Sequence, residues 1–82
     1  MPKLFTSRQI IKILEERGFV FISQRGSHAK YRKITKEGIL TVIIPIHSKE
    51  VPTGTFKSIL RQSNLTEEDF IKRGRIIKKS QQ

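Results

Sequence analysis

Three short segments rich in β-branched and aromatic residues fall between residues 19 and 44, and the polar breaks between them are only a few residues long. Phe19-Val20-Phe21-Ile22 has the composition of a strand, a second strand runs from His28 to about Lys33, and Ile39-Leu40-Thr41-Val42-Ile43-Ile44 is a third, ended by Pro45. Ser23-Gln24-Arg25-Gly26-Ser27 and Thr35-Lys36-Glu37-Gly38 read as the turns that separate them. Breaks this short join antiparallel neighbours, so the middle of the chain should be an antiparallel meander.

Helix signals flank the meander. Thr6-Ser7-Arg8-Gln9 has capping-box spacing, Phe5 and Ile10 occupy the hydrophobic-staple positions, and Ile10, Ile13, Leu14 and Arg17 recur at the helical interval. Gly18 supplies the left-handed residue that stops this helix. After the third strand, residues 47–53 are polar apart from Val51 and Pro52, and Pro52 suits the first turn of a second helix. Phe56, Ile59 and Leu60 mark its inner side, with Lys57 and Arg61 on the outer one. Ser63-Asn64-Leu65 breaks it, and Thr66-Glu67-Glu68-Asp69 opens a short third helix, its acids well placed at the positive end of the helix dipole. The resulting order is α-β-β-β-α plus a short C-terminal helix: an α+β fold with a three-stranded antiparallel sheet, helices on one face and the other face open. A double-stranded RNA-binding domain has the same order.

At 82 residues the chain is one domain with a thin core, so function has to sit on an outer face. Its 17 Lys and Arg against 7 Asp and Glu leave a formal charge of +10, which points to a polyanion and to nucleic acid first. Solubility is a weaker account of that excess, because added acid serves solubility better than added base. The chain has no Cys, so no disulfide framework or thiolate metal site is available, and a reducing compartment would suit it. With no long apolar leader and no apolar run near bilayer length, a cytoplasmic protein without a membrane partner is expected.

Alternation along the second strand places His28, Lys30 and Arg32 on one side and Ala29 and Tyr31 on the other. An imidazole beside two cations is what phosphodiester binding combined with proton transfer requires. Gly26 and Ser27, just before it, allow the backbone to approach a phosphate closely. A lone strand histidine is more often an ordinary surface residue, and the neighbouring cations are what give this one weight. His47 is an accessory candidate, although a loop hydrogen bond or a helix-cap contact accounts for it equally well. The carboxylates are scattered or committed to the third helix, two histidines without cysteine lack zinc-site spacing, and no phosphate-cradling Walker loop is present. No metal and no small-molecule cofactor are therefore expected.

Several segments in a fixed order carry a family resemblance: Arg17-Gly18-Phe19, Gly26-Ser27-His28-Ala29-Lys30-Tyr31, Ile44-Pro45-Ile46-His47, and Gly54-Thr55-Phe56-Lys57-Ser58-Ile59-Leu60-Arg61-Gln62 followed by Leu65. Together they resemble the HicA toxins over roughly residues 4–71, with no departure at the motif positions. The resemblance implies a double-stranded RNA-binding-like fold and a ribosome-independent mRNA interferase whose motif histidine corresponds to His28. It also implies a HicB-type antitoxin that covers the active site. Residues 1–71 are then the RNA-cleaving domain, and residues 72–82 a basic tail outside the family pattern, frayed or ordered only on RNA or a partner.

The expected mechanism has His28 accept the proton of a ribose 2′-OH, which attacks the adjacent phosphorus, while Lys30 and Arg32 neutralise the non-bridging oxygens. Gly26, Ser27, Lys57 and Arg61 complete the candidate RNA contacts. Two other readings stay open: a non-catalytic RNA-binding module that blocks translation by occupancy, and an interaction protein whose charge holds an acidic partner.

Overall fold

A computed structural model describes residues 4–71. Helix α1 (Ser7–Glu16) is followed by strands β1 (Val20–Arg25), β2 (His28–Thr35) and β3 (Gly38–Pro45), then by helix α2 (Thr53–Ser63) and a short helix α3 at residues 67–71. The strands form one antiparallel sheet in the order β1-β2-β3. This is the α+β arrangement expected from the sequence. None of these helices is long and apolar enough to cross a membrane.

Both ends of α1 follow from local chemistry. Gln9 N–H donates to Thr6 Oγ1 at 3.0 Å and Thr6 N–H donates to Gln9 Oε1 at 2.9 Å, which completes the capping box. At the other end Gly18 takes φ +97°, its N–H donates to the Glu15 carbonyl at 3.1 Å, and Phe19 N–H donates to the Leu14 carbonyl at 2.9 Å. Those two bonds make a Schellman ending. Phe19 was expected to open β1, but it belongs to this ending instead: it is buried, and the strand starts one residue later.

The turn between β1 and β2 is also shorter than expected. Ser23, Gln24 and Arg25 continue the strand, and Gly26-Ser27 alone turns the chain. Gly26 sits at φ +59° while Ser27 lies outside the positive-φ region, the pattern of a two-residue II′ hairpin whose twist matches the flanking strands. The helix after the meander also differs by one position. Pro52 is the N-cap residue of α2, its carbonyl accepting from Phe56 N–H at 2.8 Å, where the sequence suggested a place in the first turn. Asn64, at φ 62°, ends α2 in the left-handed conformation.

The core lies between the helices and one face of the sheet. Ile10, Ile13 and Leu14 of α1 and Phe56 and Ile59 of α2 meet Ala29, Tyr31, Val42 and Ile44. Phe70 of α3 closes one end by stacking edge-on to Phe56, with ring centroids 5.2 Å apart, and Phe5 packs against both. The helices cover β3 and the inner side of β2, whereas every residue of β1 is exposed. The basic tail expected at residues 72–82 lies outside the described residues.

Candidate active site

Residues paired across an antiparallel ladder share a face, so the register defines the open side of the sheet. On β2 that side carries His28, Lys30 and Arg32. Their β3 partners are Pro45, Ile43 and Thr41, and their β1 partners are Arg25, Ser23 and Val20. Ala29 and Tyr31 turn to the buried side beneath the helices. Burial, followed by the nearby Glu15 carboxylate, raises the Tyr31 phenol above its ordinary pKa, so it stays a neutral part of the core.

The placement of Arg25 depends on one irregularity. The register shifts between Phe21 and Ser23, leaving Ile22 as an extra residue in β1. Strict alternation would put Phe21 and Arg25 on the same face. Because of the bulge, Phe21 instead pairs with Tyr31, ring edge to ring at 5.8 Å, and Arg25 pairs with His28 on the open side. Arg25 is not among the sequence candidates, because the polar run of residues 23–27 reads as a turn. The Gly-Ser pair between strand-like runs is the two-residue hairpin signal that would have brought it forward.

Ser23, Arg25, His28, Lys30 and Ile43 line an open depression of about 700 Å³, within the ordinary range for ligand pockets. His28 is exposed there. No hydrogen bond or ion pair to another described residue engages the side chains of His28, Arg25 or Lys30. Arg32 stands one rung beyond the depression, half-buried, with its Nε donor unpartnered. The three strands contain no Asp or Glu, so the positive field of this face is uncompensated within the sheet.

The remaining candidates are spread out. Gly26 and Ser27 form the hairpin tip beside His28, whereas Lys57 and Arg61 lie on the exposed side of α2, outside the depression. Arg61 is partly engaged, donating to Ser58 Oγ at 3.1 Å. His47 is exposed in the loop after β3. Among the described residues no group of three or more His, Cys, Asp or Glu is placed to hold a metal ion.

Ser7 was missed by sequence reading. It is buried at the start of α1, donating its hydroxyl to the Pro45 carbonyl and accepting from Ser48 N–H at 3.0 Å. Its own N–H donates to the Ser48 carbonyl at 3.0 Å, and Val51 N–H donates to Phe5 O at 2.8 Å. The loop that bears His47 is thereby fastened to α1. Nothing local in the sequence signals this contact, because its partners are about forty residues away.

The family model described as the HicA toxin of bacterial toxin-antitoxin systems matches residues 7–65. That span includes every residue of the site. Among curated proteins none matches the chain.

Proposed function

The chain belongs to the HicA toxins of bacterial toxin-antitoxin systems, and from that premise we propose that it is a metal-independent endoribonuclease acting on mRNA, with His28 as the general base. The observation that carries this reading is the unpaired, exposed His28 on the open sheet face, with Arg25 and Lys30 in the same depression and Arg32 one rung on. RNA carries its own nucleophile. His28 takes the proton of a ribose 2′-OH, the 2′-oxygen bonds to phosphorus, and the P–O5′ bond breaks to leave a 2′,3′-cyclic phosphate and a 5′-OH. Lys30 and Arg25 meet the non-bridging oxygens, whose charge grows in the transition state, and Arg32 anchors the neighbouring phosphate. The partner in this reading is a HicB-type antitoxin that silences the toxin by covering the open face.

Incubating the protein and its His28→Ala variant with a long RNA, with and without EDTA, tests the proposal. A positioned base contributes about 10²- to 10⁴-fold. His28→Ala should lose at least the lower figure while keeping its melting temperature and RNA affinity, and chelator should change nothing. Cleavage that disappears in EDTA would exclude this mechanism. Salt-sensitive binding with no cleavage by either protein would favour translation block by occupancy.

A further inference from the structure

A 2′-OH attack needs two proton transfers, and His28 accounts for only one of them. The departing 5′-oxygen needs a donor. Arg25 and Arg32 cannot serve, since a guanidinium does not give up its proton in a protein. The chain has one other imidazole, His47.

The β2–β3 register runs as far as His28 opposite Pro45. One rung further, Ile46 N–H donates to the Ser27 carbonyl at 2.9 Å, so the ladder continues past the end of the strand. That makes His28–Pro45 a non-hydrogen-bonded rung, the narrow kind with about 4.5 Å between Cα atoms. The same alternation leaves Ile43 N–H pointing away from β2, where it donates to Gln62 Oε1 at 3.0 Å. His47 follows two residues after Pro45, at the hairpin end of the sheet where His28 stands. The backbone bends at Ile46 and His47, and two residues reach at most about 7 Å, so across the narrow rung of about 4.5 Å the two histidine Cα atoms lie within about 12 Å of each other, a span two imidazoles can bracket around one phosphodiester.

The chain around His47 is held in place. Ser7 grips Pro45 O on one side and Ser48 on the other, and Ser27 holds Ile46. His47 itself is exposed and makes no hydrogen bond or ion pair with any described residue. The loop hydrogen bond and the helix-cap contact that would explain it as structural are therefore both missing, and the cap position of α2 belongs to Pro52.

Building on the endoribonuclease reading, we propose that His47 is the general acid of the cleavage. As the bond between the 2′-oxygen and phosphorus forms and His28 takes the 2′ proton, the P–O5′ bond breaks and the His47 imidazolium hands its proton to O5′. Exchange with water then returns both rings to their starting states, with no oxidant or co-reactant involved.

The test replaces the leaving oxygen with sulfur. The dinucleotide step at which the protein cuts a long RNA is placed in an oligonucleotide, once with the natural linkage and once with a 5′-bridging phosphorothiolate, whose thiolate departs without a proton. His47→Ala should cut the natural linkage about 10²-fold more slowly or worse, yet cut the sulfur linkage within a few-fold of the unaltered protein. His28→Ala should be slow on both. His47→Gln, which keeps the polar bulk of the side chain, should behave as His47→Ala does. If the His47 variants are slowed equally on both linkages, or not slowed at all, His47 is not the acid while the role of His28 stands. Selective rescue of Lys30→Ala instead would move the role to Lys30. If the unaltered protein cuts no RNA, the endoribonuclease reading falls along with this one.

Discussion

The two ladders of the sheet are built on different rules. β2 and β3 pair over eight rungs without interruption, from His28–Pro45 to Thr35–Gly38. Both helices lie over the β3 side, and Gln62 of α2 closes its outer edge by accepting from Ile43 N–H. The β1–β2 ladder carries an extra residue at Ile22, and β1 is exposed along its whole length. The regular ladder bears the core, with Ala29, Tyr31, Val42 and Ile44 on one face. The bulged one gives up packing in order to set Phe21 against Tyr31 and Arg25 against His28. A bulge also blunts a bare edge against unwanted strand pairing. Stability and the candidate chemistry thus draw on opposite sides of the same central strand.

Four substitutions probe that division. Ile44 is fully buried, so Ile44→Ala should cost about 2–5 kcal/mol in chemical denaturation, whereas Val20→Ala on the exposed strand should stay within about 0.5 kcal/mol. Equal costs would mean that β1 is packed as tightly as β3. Arg25→Ala removes the guanidinium that the bulge sets opposite His28. If Arg25 serves the site, RNA cleavage should fall by about 10²-fold, the usual consequence of losing one group that meets developing charge, and an unchanged rate would detach β1 from the chemistry. Gln62→Ala should destabilise by about 0.5–1.5 kcal/mol, and amide exchange at Ile43 should speed up most of all.

A small effect is also expected at Asp69, which ties α3 to the helix layer. Its carboxylate accepts from Thr66 N–H at 2.8 Å and from Arg17 Nη2 at 3.1 Å. The Thr66 backbone bond, opposed in part by desolvation and aided by the Thr66 hydroxyl and Arg17, holds this carboxyl below the usual carboxylate range. A depressed folded pKa contributes stability above the unfolded value near 3.9, which is lost as pH falls through the folded value. For a partly exposed group, Asp69→Asn should cost no more than about 1 kcal/mol at neutral pH. It should also flatten the acid limb of the stability curve. An unaltered acid limb would place the titrating group elsewhere.

The sequence was most readable where one local signal decides the backbone. Thr6 with Gln9, Gly18 and Asn64 mark helix ends by their own chemistry, and strict alternation from His28 to Arg32 sorts β2 into two faces. It was least readable in β1. The Schellman ending takes Phe19 out of the strand, and a bulge at Ile22 breaks the period on which face assignment depends. The polar run of residues 23–27 also reads as a turn, which hides Arg25. Ser7 and Gln62 escaped for a different reason, since each acts on backbone that only the tertiary fold brings near. The single imidazole of β2 stood out, but the pinned loop that gives His47 its position did not.

The central claim is that the open face cuts RNA with the 2′-OH as nucleophile. The most direct measurement is the chemistry of the new ends after the protein cuts a long RNA in EDTA. A 2′,3′-cyclic phosphate on the upstream fragment and a 5′-OH on the downstream one are the expected result. A 3′-OH paired with a 5′-phosphate, or no cutting in EDTA, would contradict it.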